Sequence, residues 1–195
     1  MPSRVNRPAA PRVRFTREEL LAAAGRLLPD VIAPGLDVLL CGINPGLWSA
    51  ATGHHFARPG NRFWPALHLS GFTPRLLRPD EQALLPGWGL GITNLAARAT
   101  ARADELTREE LTEGAAILRA KVAEHAPRWL AVLGVTAFRT AFGLQAAKVG
   151  PQDLATLSPT RIWILPNPSG LNAHYQLDRL AEEFARLREA IEVPA

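Results

Sequence analysis

The sequence predicts an α/β fold: three layers, α/β/α, around a mainly parallel central sheet of about four strands. Three observations predict it. Short apolar runs bounded by turn residues recur along the chain, the pattern of strands buried on both faces. Segments of helical periodicity separate them, two opened by Thr-x-x-Glu capping boxes. Polar turns bearing Asn and Gly follow the runs, where such sheets bind ligands.

Residues 1–15, rich in Pro and Arg, read as a flexible basic arm ahead of a single domain over 16–195. Thr16 with Glu19 opens a helix to about Leu28. Asp37 to Ile43 holds the first strand, and Asn44-Pro45-Gly46 turns away from it into a loop that reaches Arg62. A helix spans Phe63 to Ser70, and Gly71 ends it. A turn cluster at Pro86, Gly87 and Gly89 leads to a second strand, Leu90 to Leu95. Thr107 with Glu110 caps a helix to about His125. Trp129 to Gly134 is the third strand, Val135 to Phe142 a short helix, and Arg161 to Leu165 the fourth strand. The loop 166–172 leads to an amphipathic helix from Gln176 to Ile191.

Composition narrows the function. With 195 residues, 47% hydrophobic and 21% charged, the chain is globular rather than disordered. No apolar run approaches the roughly 18–20 residues that span a bilayer, and the N-terminus has no apolar signal core. These features point to a cytoplasmic protein. Cys41, the single cysteine, excludes an internal disulfide, a cysteine zinc site and a CxxC redox centre. No glycine-rich phosphate loop, GxSxG elbow or metal-ligand cluster is present, so neither cofactor nor metal is expected.

Amides are what remain. Asn44 follows a buried strand, with Pro45 fixing the next φ and Gly46 permitting close backbone approach. Such an amide orients a water or donates to a developing anion; alternatively, Asn-Pro-Gly is only a turn. Asn167-Pro168-Ser169-Gly170 repeats the pattern after another strand. Phe56 is either a stacking platform for a planar ligand or a satellite core contact. Leu171 is either a hydrophobic staple for the last helix or a wedge between stacked bases. His54 and His55 read as core, surface or base contacts. Trp64, Trp129 and Trp163 read as core.

Together, Gly42-Ile-Asn-Pro-Gly46, Thr52-Gly-His-His-Phe56, Pro59-Gly-Asn-Arg-Phe-Trp64, Leu85-Pro-Gly87, Gly91-Ile-Thr-Asn94 and Asn167-Pro-Ser-Gly-Leu171 resemble the mismatch-specific uracil/thymine DNA glycosylases, the MUG/TDG branch of the uracil-DNA glycosylase superfamily. The resemblance covers about residues 36–192. It implies a monofunctional enzyme of base excision repair that flips uracil, preferentially from G·U mismatches, out of duplex DNA and leaves an abasic site. Asn44 would position the attacking water. Ile43, Gly46, Ser49, Phe56, Asn94 and Asn167 would form the base pocket. Gly170, Leu171 and Asn172 would fill the gap and meet the opposite strand. The implied partner is double-stranded DNA carrying G·U or related lesions, met by a monomer with no membrane. Asn172-Ala173 stands where the bacterial pattern has Ser-Arg. Asn94 follows the TDG branch, and Ser49 the bacterial one, where its hydroxyl would crowd a 5-methyl group. The competing reading is a damage-recognition or nucleotide-binding module that hydrolyses nothing.

Charge is unevenly placed. The formal net charge of +4 divides into +5 over residues 1–17 and −1 over the rest. Residues 38–79 carry +4, whereas 104–124 carry −3 and 178–195 carry −2. The acidic helices are therefore expected away from the duplex.

Overall fold

A computed structural model describes residues 14–157 and 159–192. Among these residues the sheet has five strands: β1 (Val38–Gly42), β2 (Leu90–Asn94), β3 (Trp129–Leu133), β4 (Gly150–Gln152) and β5 (Arg161–Leu165). They lie in the order β2-β1-β3-β5-β4. All pairings are parallel except that of β4, which runs antiparallel to β5 at the edge. The expected mainly parallel sheet is therefore present, with one strand more than the sequence announced. Pro151 explains the omission: a three-residue segment with a proline has no strand signal, and an edge tolerates the missing N–H.

Helices of the described residues surround the sheet: α1 (Arg17–Leu21), α2 (Leu47–Thr52), α3 (Phe63–Leu69), α4 (Arg108–His125), α5 (Val135–Phe142) and α6 (Leu177–Glu192). Period-2 alternation in the strands divides the core. Leu39 and Cys41 of β1 face Leu118 of α4 and Phe138 of α5. Val38 and Leu40 face Phe63 and Leu67 of α3 and Phe184 of α6. Trp64, Trp129 and Trp163 are buried, as their positions predicted. Burial pushes the Cys41 thiol far above its ordinary range, so this cysteine is a core residue and not a nucleophile. Among the described residues no helix is long and apolar enough to cross a membrane.

Three departures matter near the cleft. The first helix ends at Leu21 rather than Leu28, because Gly25 takes φ +75° and bonds to Ala99 O at 3.0 Å. Residues 47–52, read as loop, form α2. Residues 79–88, read in part as a turn cluster, form a 3-10 helix that ends at Gly89. The expected arm over 1–15 lies outside the described residues except for Arg14 and Phe15. The Phe15 ring packs edge-on against Trp48 of α2 at 5.2 Å.

The topology places the ligand end. From β1 the chain goes to β2 on one side and returns to β3 on the other. Strand order thus reverses at β1, and a crevice opens beyond the carboxyl ends of β1 and β3.

Candidate active site

A cleft of about 440 Å³ lies at that position. Its walls come from four segments far apart in sequence: Gly42 to Ser49 after β1, His55 to Asn61, Thr100 to Asp104 after β2, and Asn167 to Asn172 after β5. The parallel ladder continues past the strands and fixes two of them to each other. Leu95 N donates to Gly42 O at 2.9 Å, Ala96 N to Ile43 O at 2.8 Å, and Thr100 N to Pro45 O at 3.1 Å.

Asn44 is held by its amide nitrogen. Nδ2 donates to Arg98 O at 2.9 Å and to Thr100 Oγ1 at 2.7 Å. A carbonyl only accepts, so the orientation of the amide is unambiguous. The Thr100 hydroxyl passes its own proton to Arg102 O at 2.7 Å and so must accept from Asn44. Both Nδ2 hydrogens are committed, and Oδ1 remains as the acceptor offered to a ligand. Of the two roles open to this residue, orienting a water fits and donating to an anion does not. Asn167 is the complement. Its Oδ1 accepts from Ser169 N at 2.9 Å, which leaves Nδ2 as the donor end.

Phe56 supplies an aromatic wall. One face of its ring stacks on Phe63, with centroids 3.9 Å apart and planes at 19°. Phe63 is fully buried and braced edge-on by Trp64 and Phe184. Phe56 is therefore both core contact and cleft wall. Its backbone has φ +53°, which costs a non-glycine residue about 1–2 kcal/mol. Strain of this kind persists only where packing over-determines it. Gly42 makes the close approach possible: a Cβ there would lie 3.2 Å from Phe56 Cζ and 2.6 Å from Asn94 Oδ1.

That approach also locates Asn94. It is partly buried behind Gly42 and is not among the residues that line the cleft. The structure thus does not bring it to the cleft wall, and Gly170 is likewise absent from the lining, whereas the other residues named from sequence are there. Its Nδ2 lies 3.4 Å from His55 Nδ1. His55 Nε2 lies 3.0 Å from Pro29 O, so the imidazole carries its proton on Nε2 and accepts at Nδ1. Burial lowers the pKa of His55, outweighing the Pro29 hydrogen bond, which raises it. The ring is neutral at ordinary pH. Ser49 is buried in the cleft wall and accepts from Ala57 N at 3.2 Å.

The loop after β5 carries Gly170, Leu171 and Asn172. Leu171 is 71% exposed, so it staples nothing. Gly170 packs on the chain at Gly60, where a Cβ would come within 2.6 Å of the Gly60 carbonyl oxygen. Asn172 turns inward, its Nδ2 donating to Asn167 O at 2.9 Å. Ile43, Gly46 and Asn44 share the cleft with Ser49, Phe56, Asn167, Leu171 and Asn172.

Sequence reasoning missed Arg62 and Thr100. Arg62 stands in a quoted motif, yet no local pattern marks the partners of either residue, which lie 56 or more positions away in these contacts. It also missed the cleft position of Leu28, which follows from the early end of α1. Asp104, which precedes α4, lines the cleft and pairs there with Arg102. Among the described residues no cluster of His, Cys, Asp or Glu could hold a metal ion.

Comparison with known proteins agrees with this geometry. Residues 29–192 match the model of the uracil DNA glycosylase superfamily. The fold is similar to a solution NMR structure from Methanosarcina acetivorans, provisionally described as a uracil DNA glycosylase. That likeness has TM-score 0.59 and 17% identity, over 87% of this chain and 99% of the other. With the match spanning most of the chain, this protein belongs to the uracil DNA glycosylase superfamily.

Proposed function

We propose that this chain is a monofunctional DNA glycosylase that extrudes uracil from duplex DNA, preferentially opposite guanine, hydrolyses its N-glycosidic bond and leaves an abasic site for base excision repair. The observation that carries this reading is Asn44: an amide clamped at its nitrogen, offering an oxygen acceptor in the crevice of the sheet. A binding module has no need of a clamped acceptor there.

In this reading the flipped base stacks on the free face of Phe56. Asn44 Oδ1 accepts from a water and aligns it on C1′. The carbon–nitrogen bond breaks dissociatively, giving an oxocarbenium-like sugar and a uracil anion; water then adds to C1′, and the proton it loses goes to the departed uracil anion or to solvent. Donors in the cleft, Asn167 Nδ2 among them, stabilise the charge on the departing base. The leaving group is a stable anion, so no strong base is required and placement supplies much of the rate. No lysine lines the cleft among the described residues, and Lys121 is engaged with Asp30 and Thr93. Such a site forms no Schiff base and does not nick the backbone. The Ser49 hydroxyl in the wall disfavours a 5-methyl group, hence uracil over thymine.

The test is a labelled duplex with one G·U pair. Incubation followed by alkali should cleave the strand at the uracil, and incubation without alkali should leave it intact. Binding without alkali-labile product would mark a recognition module. Cleavage before alkali would mark a lyase.

A further inference from the structure

The loop that carries Leu171 is polar and short of apolar anchors. Its own hydrogen bonds are local, such as Asn172 N to Ser169 O at 2.9 Å and His174 N to Asn172 Oδ1 at 3.1 Å. Local bonds shape a loop without fixing it to the body. One side chain does fix it. Arg62 stands at the start of α3, whose residues Phe63, Trp64, Ala66 and Leu67 are buried in the core. Its Nη1 lies 2.8 Å from Asn172 O, 2.8 Å from Tyr175 O and 3.4 Å from Ser169 O. Its Nη2 lies 3.3 Å from Gly170 O, and its backbone N–H donates to Pro168 O at 2.9 Å. A single residue thus gathers carbonyls from both sides of Leu171.

Only a guanidinium fits this task. Its planar fork presents several donors in fixed directions, whereas an ammonium is a compact point with rotating donors. Gly170 seated on Gly60 adds a second junction between the same two segments. Leu171 is left exposed on a loop whose flanking carbonyls Arg62 holds without a duplex. Ordering in advance removes an entropy cost from binding.

We infer that Arg62 is the positioning residue of the Leu171 wedge: it clamps the carbonyls of Pro168, Ser169, Gly170, Asn172 and Tyr175 to α3, so that Leu171 enters the stack at a set depth when uracil leaves. This inference rests on the glycosylase reading above. It predicts that Arg62 acts through Leu171 and not through Asn44.

The experiment uses the full chain as wild type, Arg62→Ala, Arg62→Lys, Leu171→Ala and the Arg62→Ala/Leu171→Ala double variant. Hydrogen exchange of peptides over 166–176 is read beside single-turnover excision on a G·U duplex. Arg62→Ala should speed exchange in that loop and slow excision by about 100-fold, the scale of a misplacement near 1 Å. Arg62→Lys should recover little of either, and if Arg62→Ala does not fold, Arg62→Lys against wild type carries the comparison. The double variant should be no slower than Leu171→Ala alone. Unchanged loop exchange overturns the assignment, as does an undiminished Arg62→Ala effect in the Leu171→Ala background. A wild type that excises no uracil overturns the glycosylase reading and the wedge role with it; an active wild type with unchanged loop exchange in the variants overturns the Arg62 assignment alone.

Discussion

Asn44 is a weak chemical group whose value lies in orientation. The Thr100 hydroxyl is half of what orients it, accepting from Nδ2 at 2.7 Å. Thr100→Val keeps the shape and removes that acceptor. It should lower the single-turnover rate about 10-fold, with duplex affinity unchanged, because a hydrogen bond of this kind is worth about 1 kcal/mol or more. Under the proposed function, Ser49 governs choice rather than rate. Ser49→Ala should raise thymine excision from G·T relative to uracil from G·U, measured as a ratio of single-turnover rates. A wild type that already removes both at the same rate would contradict the role given to that hydroxyl. Most of these positions were legible in the sequence, since Asn44, Phe56, Asn167 and Leu171 sit in contiguous motifs and Ser49 lies between two of them. Their hydrogen-bond partners were not. Thr100 and Arg62 act across long sequence separations, and no local pattern marks such a pairing. Asn94 shows the opposite limit: the motif names it, and the absence of a Cβ at Gly42 lets it sit behind the wall.

At the scale of elements, the start of α4 reaches the Asn44 amide. Glu110 closes the capping box with Thr107 and also takes the Arg98 side chain at 2.6 and 3.0 Å. The Arg98 guanidinium, with help from the Thr107 backbone, holds this carboxyl down at about 2. Arg98 O is in turn the acceptor that fixes Asn44. On the other side of the cleft, His55 joins four pieces: its ring meets Pro29 O and Asn94, its backbone N–H donates to Gln82 Oε1 at 2.7 Å, and its carbonyl accepts from Trp64 Nε1 at 3.1 Å. Burial lowers the His55 pKa in the folded chain below its ordinary 6.5. Below that value the unfolded chain binds the additional proton, so stability falls as pH drops from about 6.5. Carboxylates such as Glu81 and Glu110, held at about 2, lose their contribution only below their ordinary 4.5. The melting temperature of the wild type should therefore fall between about pH 7 and pH 5 more steeply than that of His55→Gln. Parallel slopes would show that His55 is protonated in the fold. Capping boxes and buried strands were the elements the sequence marked best. Helix α2 and strand β4 escaped because six and three residues are too few to display a period.

For the whole molecule, charge describes where DNA should lie better than its sum does. The described chain offers Arg58 at the cleft rim, while Asp104 there is matched by Arg102. The +5 of residues 1–17 precedes Phe15 and Thr16 for its larger part, and Phe15 is seated on α2, which follows the Asn44 turn. We propose that residues 1–13 add non-specific phosphate binding. Removing residues 2–13 takes away Arg4, Arg7 and Arg12 and spares the packing of Phe15 on Trp48. The dependence of log affinity on log salt should flatten by up to about 2–3, near 0.9 for each phosphate that an arginine no longer neutralises, with the preference among bases unchanged. An unaltered slope would make the arm a bystander. The parallel pairing follows from the alternation of strands and helices, which the sequence displays; the strand order and its reversal at β1 do not, because they are set by which strands meet across long separations. The reversal brings Asn44 and Asn167 to one crevice as acceptor and donor.

The central claim is that the acceptor oxygen of Asn44, and not the cleft alone, drives excision. Single-turnover uracil release from a G·U duplex, with duplex binding measured on the same preparations, tests it most directly. Asn44→Ala should bind the duplex as wild type does and release uracil at least about 100-fold more slowly. Release at the wild-type rate by a folded Asn44→Ala protein would contradict the account.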